Sequence, residues 1–178
     1  MKHKLLPFLI LALILMLSPL QGNAQDKEDS TLYETLSWIK NKIETMDLKD
    51  LNYKGDRVFY EEFFFLNCEC KIDFSGIKLD HDPDDIKAHR TILSFSLYEL
   101  DKVVQSSELE EQIDLITAWR QKKILVNHSV KFSKYGWKDY PPTKFPQYGI
   151  PVADPETRAE MIAEFNHAIL NCQKKEQE

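Results

Sequence analysis

Six consecutive residues, Asp80-His-Asp-Pro-Asp-Asp85, hold four carboxylates and an imidazole. That donor set suits a hard cation such as calcium. The run lacks the spacing and the glycine of an EF-hand loop, and Pro83 restricts how the backbone can wrap. A solvated acidic turn is the simpler reading. The chemical reading is a metal-binding protein or metal-dependent hydrolase, using Asp80, His81, Asp82, Asp84 and Asp85 with a histidine supplied from elsewhere. His128 stands among Ile124, Val126, Val130 and Phe132 at strand spacing. An imidazole there could act as a general base. No serine or cysteine nucleophile lies at a recognisable spacing, so a satisfied core or rim histidine is the simpler reading. His89 and His167 have no such context.

The chain has three cysteines, Cys68, Cys70 and Cys172. An odd number allows at most one internal bridge. Cys68 and Cys70 fall on the apolar side of an alternating run, and Cys172 falls on the apolar face of a helical pattern. Packing that helix on that strand would let Cys172 reach Cys70, which sits deeper in the strand, or alternatively Cys68. Three reduced thiols acting as small core hydrophobes are the alternative. A zinc site would need a fourth ligand such as His128 or His167, and Cys-x-Cys on a strand is not a usual zinc knuckle.

A third cluster is aromatic. Tyr135, Trp137, Tyr140, Phe145 and Tyr148 are interleaved with Pro141, Pro142 and Pro146. Prolines stiffen such a segment, and amphipathic rings suit recognition of a ligand or partner. The competing reading is that the rings cover an open end of a sheet.

The first 24 residues set the context for all three clusters. Lys2, His3 and Lys4 precede the apolar run Leu5–Leu17, and Gly22-Asn-Ala24 has the small residues of a cleavage site. This is the layout of a secretory signal peptide. The run is shorter than the roughly 20 residues of a membrane span, so no permanent anchor is expected in the mature chain. Cleavage after Ala24 removes Lys2 and Lys4 and takes the net charge from −6 to −8. An acidic domain is a poor partner for nucleic acid. An exported one, periplasmic or secreted, can keep a disulfide.

The elements that must position these residues read clearly at the two ends. Residues 25–30 are a polar lead-in expected to be disordered. Thr31 and Glu34 form a capping box, followed by Leu32, Leu36, Ile39, Ile43 and Met46 at helical spacing. Strands are expected over 57–66, 68–74 and 91–100, then a hairpin of 113–119 with 123–132, then an edge strand at 150–152. Residues 134–149 read as a loop. Asp154 caps a last helix with Pro155 at its first position. The sum is a single α+β domain over 31–178. It is an antiparallel meander of five to seven strands, a curved sheet or a closed barrel, packed against an N-terminal and a C-terminal helix.

The closing segment Arg158–Cys172 and the opening segment Glu34–Glu44 resemble the terminal helices of a group of uncharacterised exported bacterial proteins. The element order is also similar to a pleckstrin-homology-like barrel, and the added first helix to a cystatin-like or NTF2-like curved sheet. These resemblances imply fold alone. No catalytic constellation is present and nothing calls for a cofactor. The reading is therefore a non-enzymatic exported domain that binds a small apolar ligand or a protein partner. The metal-dependent alternative rests on Asp80–Asp85.

Overall fold

The computed structural model of the protein describes residues 22–46, 52–53, 56–78 and 86–175. The apolar run of the proposed signal peptide and the acidic stretch Asp80–Asp85 lie outside the described residues.

The fold is α+β and antiparallel, as expected, but its strands divide into two sheets. Sheet A comprises β1 (Asn52–Tyr53), β2 (Asp56–Leu66), β3 (Glu69–Lys78), β4 (Ile86–Ser96), β7 (Ile124–Phe132) and β8 (Gly136–Asp139) in that order, with β9 (Thr143–Phe145) also on β7. Sheet B comprises β10 (Gln147–Pro151), β6 (Gln112–Thr117) and β5 (Leu100–Gln105). Helix α1 spans Gly22–Thr45 and helix α2 spans Pro155–Lys175.

The split into two sheets corrects the expected hairpin of 113–119 with 123–132. Two short 3₁₀ turns produce it. Leu97–Glu99 carries the chain from β4 into β5, and Ala118–Arg120 carries it from β6 back to β7. At the second corner Trp119 and Arg120 adopt left-handed backbone, at φ 54° and 51°. Residues of those types give no signal for such a turn, so the strands on either side read as partners. The stretch 134–149 is likewise not a plain loop. It folds into β8 and β9, both paired to β7.

β2 and β3 meet at Asn67 and Cys68, with Asn67 at φ 53°, a conformation asparagine tolerates. A bulge between Tyr60 and Glu62 shifts the register of β2. It brings Val58 and Tyr60 onto the same face as Phe63 and Phe65. The run therefore does not alternate in sequence, though it does in space.

The helices pack antiparallel. Lys42 of α1 bonds Glu160 at 2.9 Å, and Thr35 lies 3.5 Å from His167. Leu32, Leu36, Ile39 and Ile43 are buried, as the helical pattern requires. α1 begins at Gly22, so Thr31 lies within the helix rather than at its N-cap, and residues 25–30 continue it. That polar stretch contains no residue that stops a helix. Asp154 does cap α2, since its carboxylate accepts from the Thr157 N–H at 2.6 Å. This hydrogen bond is the leading reason the Asp154 carboxyl lies below the ordinary carboxylate range. Buried Arg158 then ties the first turn of α2 to the end of β10, donating to the carbonyls of Val152 at 2.6 Å and Ala153 at 3.1 Å.

Each helix also satisfies a sheet edge. In sheet A, Lys40 donates to the carbonyl of Phe63 at 2.8 Å, and Glu44 accepts from its N–H at 3.3 Å. Lys40 and Glu44 are themselves ion-paired. In sheet B, Asn166 of α2 accepts from the N–H of Val103 at 2.9 Å and donates to its carbonyl at 2.8 Å. Gln173 donates to the carbonyl of Leu100 at 2.9 Å.

Cys172 pairs with Cys68, the alternative partner, rather than with Cys70. The sulfurs are 2.08 Å apart and the Cα atoms 6.0 Å apart. The last turns of α2 lie over the rim of sheet A, at the level of the β2–β3 turn that holds Cys68. Depth within the strand therefore counted against Cys70. Its thiol is free and buried, and burial, helped by Glu69, pushes it far up, so it stays protonated and inert.

The bridge closes a separation of 104 residues. The chain-entropy treatment values such a loop at about 4–5 kcal/mol. Cys68→Ser and Cys172→Ser should each destabilise the domain in denaturant titrations by a few kcal/mol, with the double variant no worse than either single one. Cys70→Ala should cost far less than either. A Cys70→Ala cost equal to theirs would show that the pairing is wrong.

Candidate functional site

The inner face of sheet A becomes informative once its strands are placed in register. One row holds Phe65, Cys70 and Phe95, and the next holds Phe63, Ile72, Leu93 and Val126. Both are apolar. The third row is Tyr60, Phe74, Thr91 and His128, and the fourth is Val58, Gly76, His89 and Val130. Polar groups enter along the strands in step, and a side chain is missing at Gly76. The face changes from core to site over two rows.

Sheet B stands over these last rows and leaves a cavity of about 550 Å³. Phe74, Val58, Phe145 and Tyr148 supply its apolar wall, and His89, His128, Thr91, Gln112, Asp114, Gln147 and Glu108 its polar one. Gly76 opens the floor between Val58 and His89. The size suits a small organic molecule.

The sheet B wall is held by a network of hydrogen bonds. Asp114 is only 3% exposed. Its Oδ1 accepts from the side-chain amide of Gln112, and its Oδ2 from that of Gln147 at 2.9 Å. The Gln112 amide also donates to Ser106 Oγ at 3.2 Å. Gly149 is what makes room for this amide, because a Cβ there would stand 1.8 Å from Gln112 Nε2.

A second network links the sheets. Thr91 Oγ1 lies 3.3 Å from His128 Nδ1, and His128 Nε2 lies 3.4 Å from His89 Nδ1. Burial raises the Tyr148 hydroxyl above its ordinary range, and a hydrogen bond with Thr91 offsets part of that rise. Tyr148, Thr91, His128 and His89 thus form one run of polar contacts from sheet B into sheet A. Burial also lowers the His128 pKa, which favours its neutral ring.

The expected aromatic cluster divides in two. Tyr135, Trp137 and Tyr140 lie outside, at 85%, 50% and 40% exposure. Lys131 and Lys138 lie over the rings of Trp137 and Tyr140. Phe145 and Tyr148 instead turn inward, in an edge-on pair 5.7 Å between centroids, and line the cavity. The interleaving prolines identified the segment but not the direction of each ring. Gln112, Asp114, Gln147, Thr91, Gly76 and Gly149 were not singled out by the sequence. The signal for Asp114 was an acidic residue inside the apolar run Ile113–Ile116. His89 acquires its context only through β4–β7 pairing. Among the described residues, no group of three or more His, Cys, Asp or Glu side chains is arranged to hold a metal ion, and no helix is long and apolar enough to cross a membrane.

The lowered His128 pKa fixes the sign of a pH effect. The folded state takes up a proton at His128 less readily than the unfolded chain, whose imidazole titrates near the ordinary value of 6.5. The His128 contribution is complete above that value and is lost as pH falls through it toward the lower folded-state pKa. Denaturant midpoints measured with a chelator present should fall more steeply from about pH 7.5 to about pH 5 in the parent than in His128→Asn. Equal slopes would contradict the assignment. Compared with known protein families, curated proteins and solved structures, the chain matches none.

Proposed function

We propose that this chain is an exported, non-enzymatic binding domain whose inter-sheet groove takes a small ligand. The observation that carries the reading is the cavity of about 550 Å³ with one aromatic wall and one ordered polar wall. Pre-organised polar groups opposite an apolar wall orient a ligand while the wall supplies affinity. The polar wall favours ligands that donate hydrogen bonds. Glu108 and Asp114 are acidic side chains on that wall, and the mature chain is net acidic. The ligand class is therefore an uncharged or cationic molecule with a ring or short apolar body and hydroxyl or amine donors. Anions are disfavoured.

Export is supported by the basic start, apolar run and Gly22-Asn-Ala24 of the first 24 residues, and by a cysteine pair at bonding distance. Whether the destination is the periplasm or the medium, the working protein on this reading begins at Gln25. It would sit with the exported α+β proteins that its terminal helices resemble.

The test uses the mature chain and a protein-observed NMR screen of small aromatic alcohols, amines and carboxylates. Neutral and cationic ring compounds should bind and shift the signals of Phe145 and Tyr148. Carboxylates of the same shape should not. Gly76→Leu, which fills the floor of the groove, should abolish these effects while leaving the fold intact. Hits that survive Gly76→Leu, or that act on Trp137 instead, would overturn the reading.

A further inference from the structure

The histidine pair in the groove has a geometry of its own, apart from the groove's apolar wall. His89 and His128 are diagonal neighbours on one face of β4 and β7, since Thr91 stands opposite His128 and His89 opposite Val130. Side chains in that relation reach one another across an antiparallel ladder. His89 Nδ1 and His128 Nε2 are 3.4 Å apart. Two imidazole nitrogens bound to one tetrahedral ion at about 2.0–2.1 Å are separated by about 3.3–3.4 Å. The rings are inclined by only 22°, with centroids 5.3 Å apart. The rings are therefore nearly parallel, and His89 Nδ1 and His128 Nε2 are the atoms at hydrogen-bonding distance.

We propose that His89 and His128 form a two-imidazole site for a divalent transition-metal ion that opens into the groove. Both ligands stand on paired strands, which hold them more exactingly than a loop would. Thr91 lies 3.3 Å from His128 Nδ1 and supplies the outer contact that a ligating imidazole commonly has, leaving Nε2 to the metal. In the metal-bound state each ring is neutral, His89 carrying its proton on Nε2 and His128 on Nδ1, so that the two facing lone pairs go to the metal. The remaining coordination positions face the cavity and fall to water or to a bound donor. Imidazole donors select copper, nickel and zinc over calcium and magnesium. Neither proposed ligand belongs to the acidic stretch Asp80–Asp85.

The test is calorimetric titration of the mature, EDTA-stripped protein with Cu²⁺, Ni²⁺ and Zn²⁺ separately, each as the simple salt. One equivalent should bind, copper most tightly, and Mg²⁺ and Ca²⁺ should give no heat. His89→Asn and His128→Asn should each weaken copper binding at least tenfold, and Thr91→Val by about tenfold. His167→Ala should leave it unchanged. In the copper form, electron paramagnetic resonance should show nitrogen couplings from two imidazoles. Circular dichroism verifies that each variant is folded. Absence of stoichiometric binding by all three metals overturns the site, as does binding that survives both asparagine variants or is lost in His167→Ala. Because the probe is the metal alone, this result and the ligand screen fail independently.

Discussion

β2 and β5 are edge strands along most of their length, and an edge strand presents unpaired N–H and C=O groups that must be satisfied or shielded. This protein satisfies them with helix side chains. Lys40 and Glu44 hold both backbone groups of Phe63, and Asn166 alone holds both of Val103. The helices that bury the core thus also terminate the sheets. The arrangement explains why the sheets remain open: where a barrel would close with a strand, α1 and α2 close instead. It also places the C-terminus of α2 over the rim of sheet A, where Cys172 meets Cys68.

Closure by helices works only where helices are present. An eleven-residue strand is about 36 Å long, whereas a helix with its side chains is about 10–12 Å across. Helix α1 meets β2 at Phe63 and Phe65, and the rows beyond them face residues of sheet B. The chain turns two corners to lay sheet B over the remainder. Beyond the apolar rows the cover stands off, and the residues change with it: Leu93 gives way to Thr91 and His89, Val126 to His128, and Phe74 to Gly76. The groove arises where the hydrophobic requirement ends, and it is there that the polar groups of both sheets meet.

The legible parts of the fold were those with short-range signals. The stripes of α1 and α2, the Asp154 cap, the alternation Cys68–Phe74 and the edge strand at 150–152 all follow from spacing alone. The two-sheet split was not legible, because it turns on left-handed backbone at Trp119 and Arg120, residue types that ordinarily avoid it. The bulge at Glu61 similarly hid the pattern of β2. The site was half legible. His128, Phe145 and Tyr148 could be picked out as residues, but His89, Thr91 and Gly76 become a site only through the register of strands far apart in sequence. Asp114 is buried with two glutamine amides, and no local pattern announces which amides those are.

The meeting of Thr91, His128 and His89 inside the groove is the central claim about it, since it brings residues far apart in sequence into one site. Nitrogen-15 chemical shifts of the imidazoles of the metal-free mature protein at neutral pH read that contact directly. The account predicts a neutral His128 ring whose shifts change in both Thr91→Val and His89→Asn. A His128 ring protonated at both nitrogens, or one whose shifts are untouched by either substitution, would contradict it.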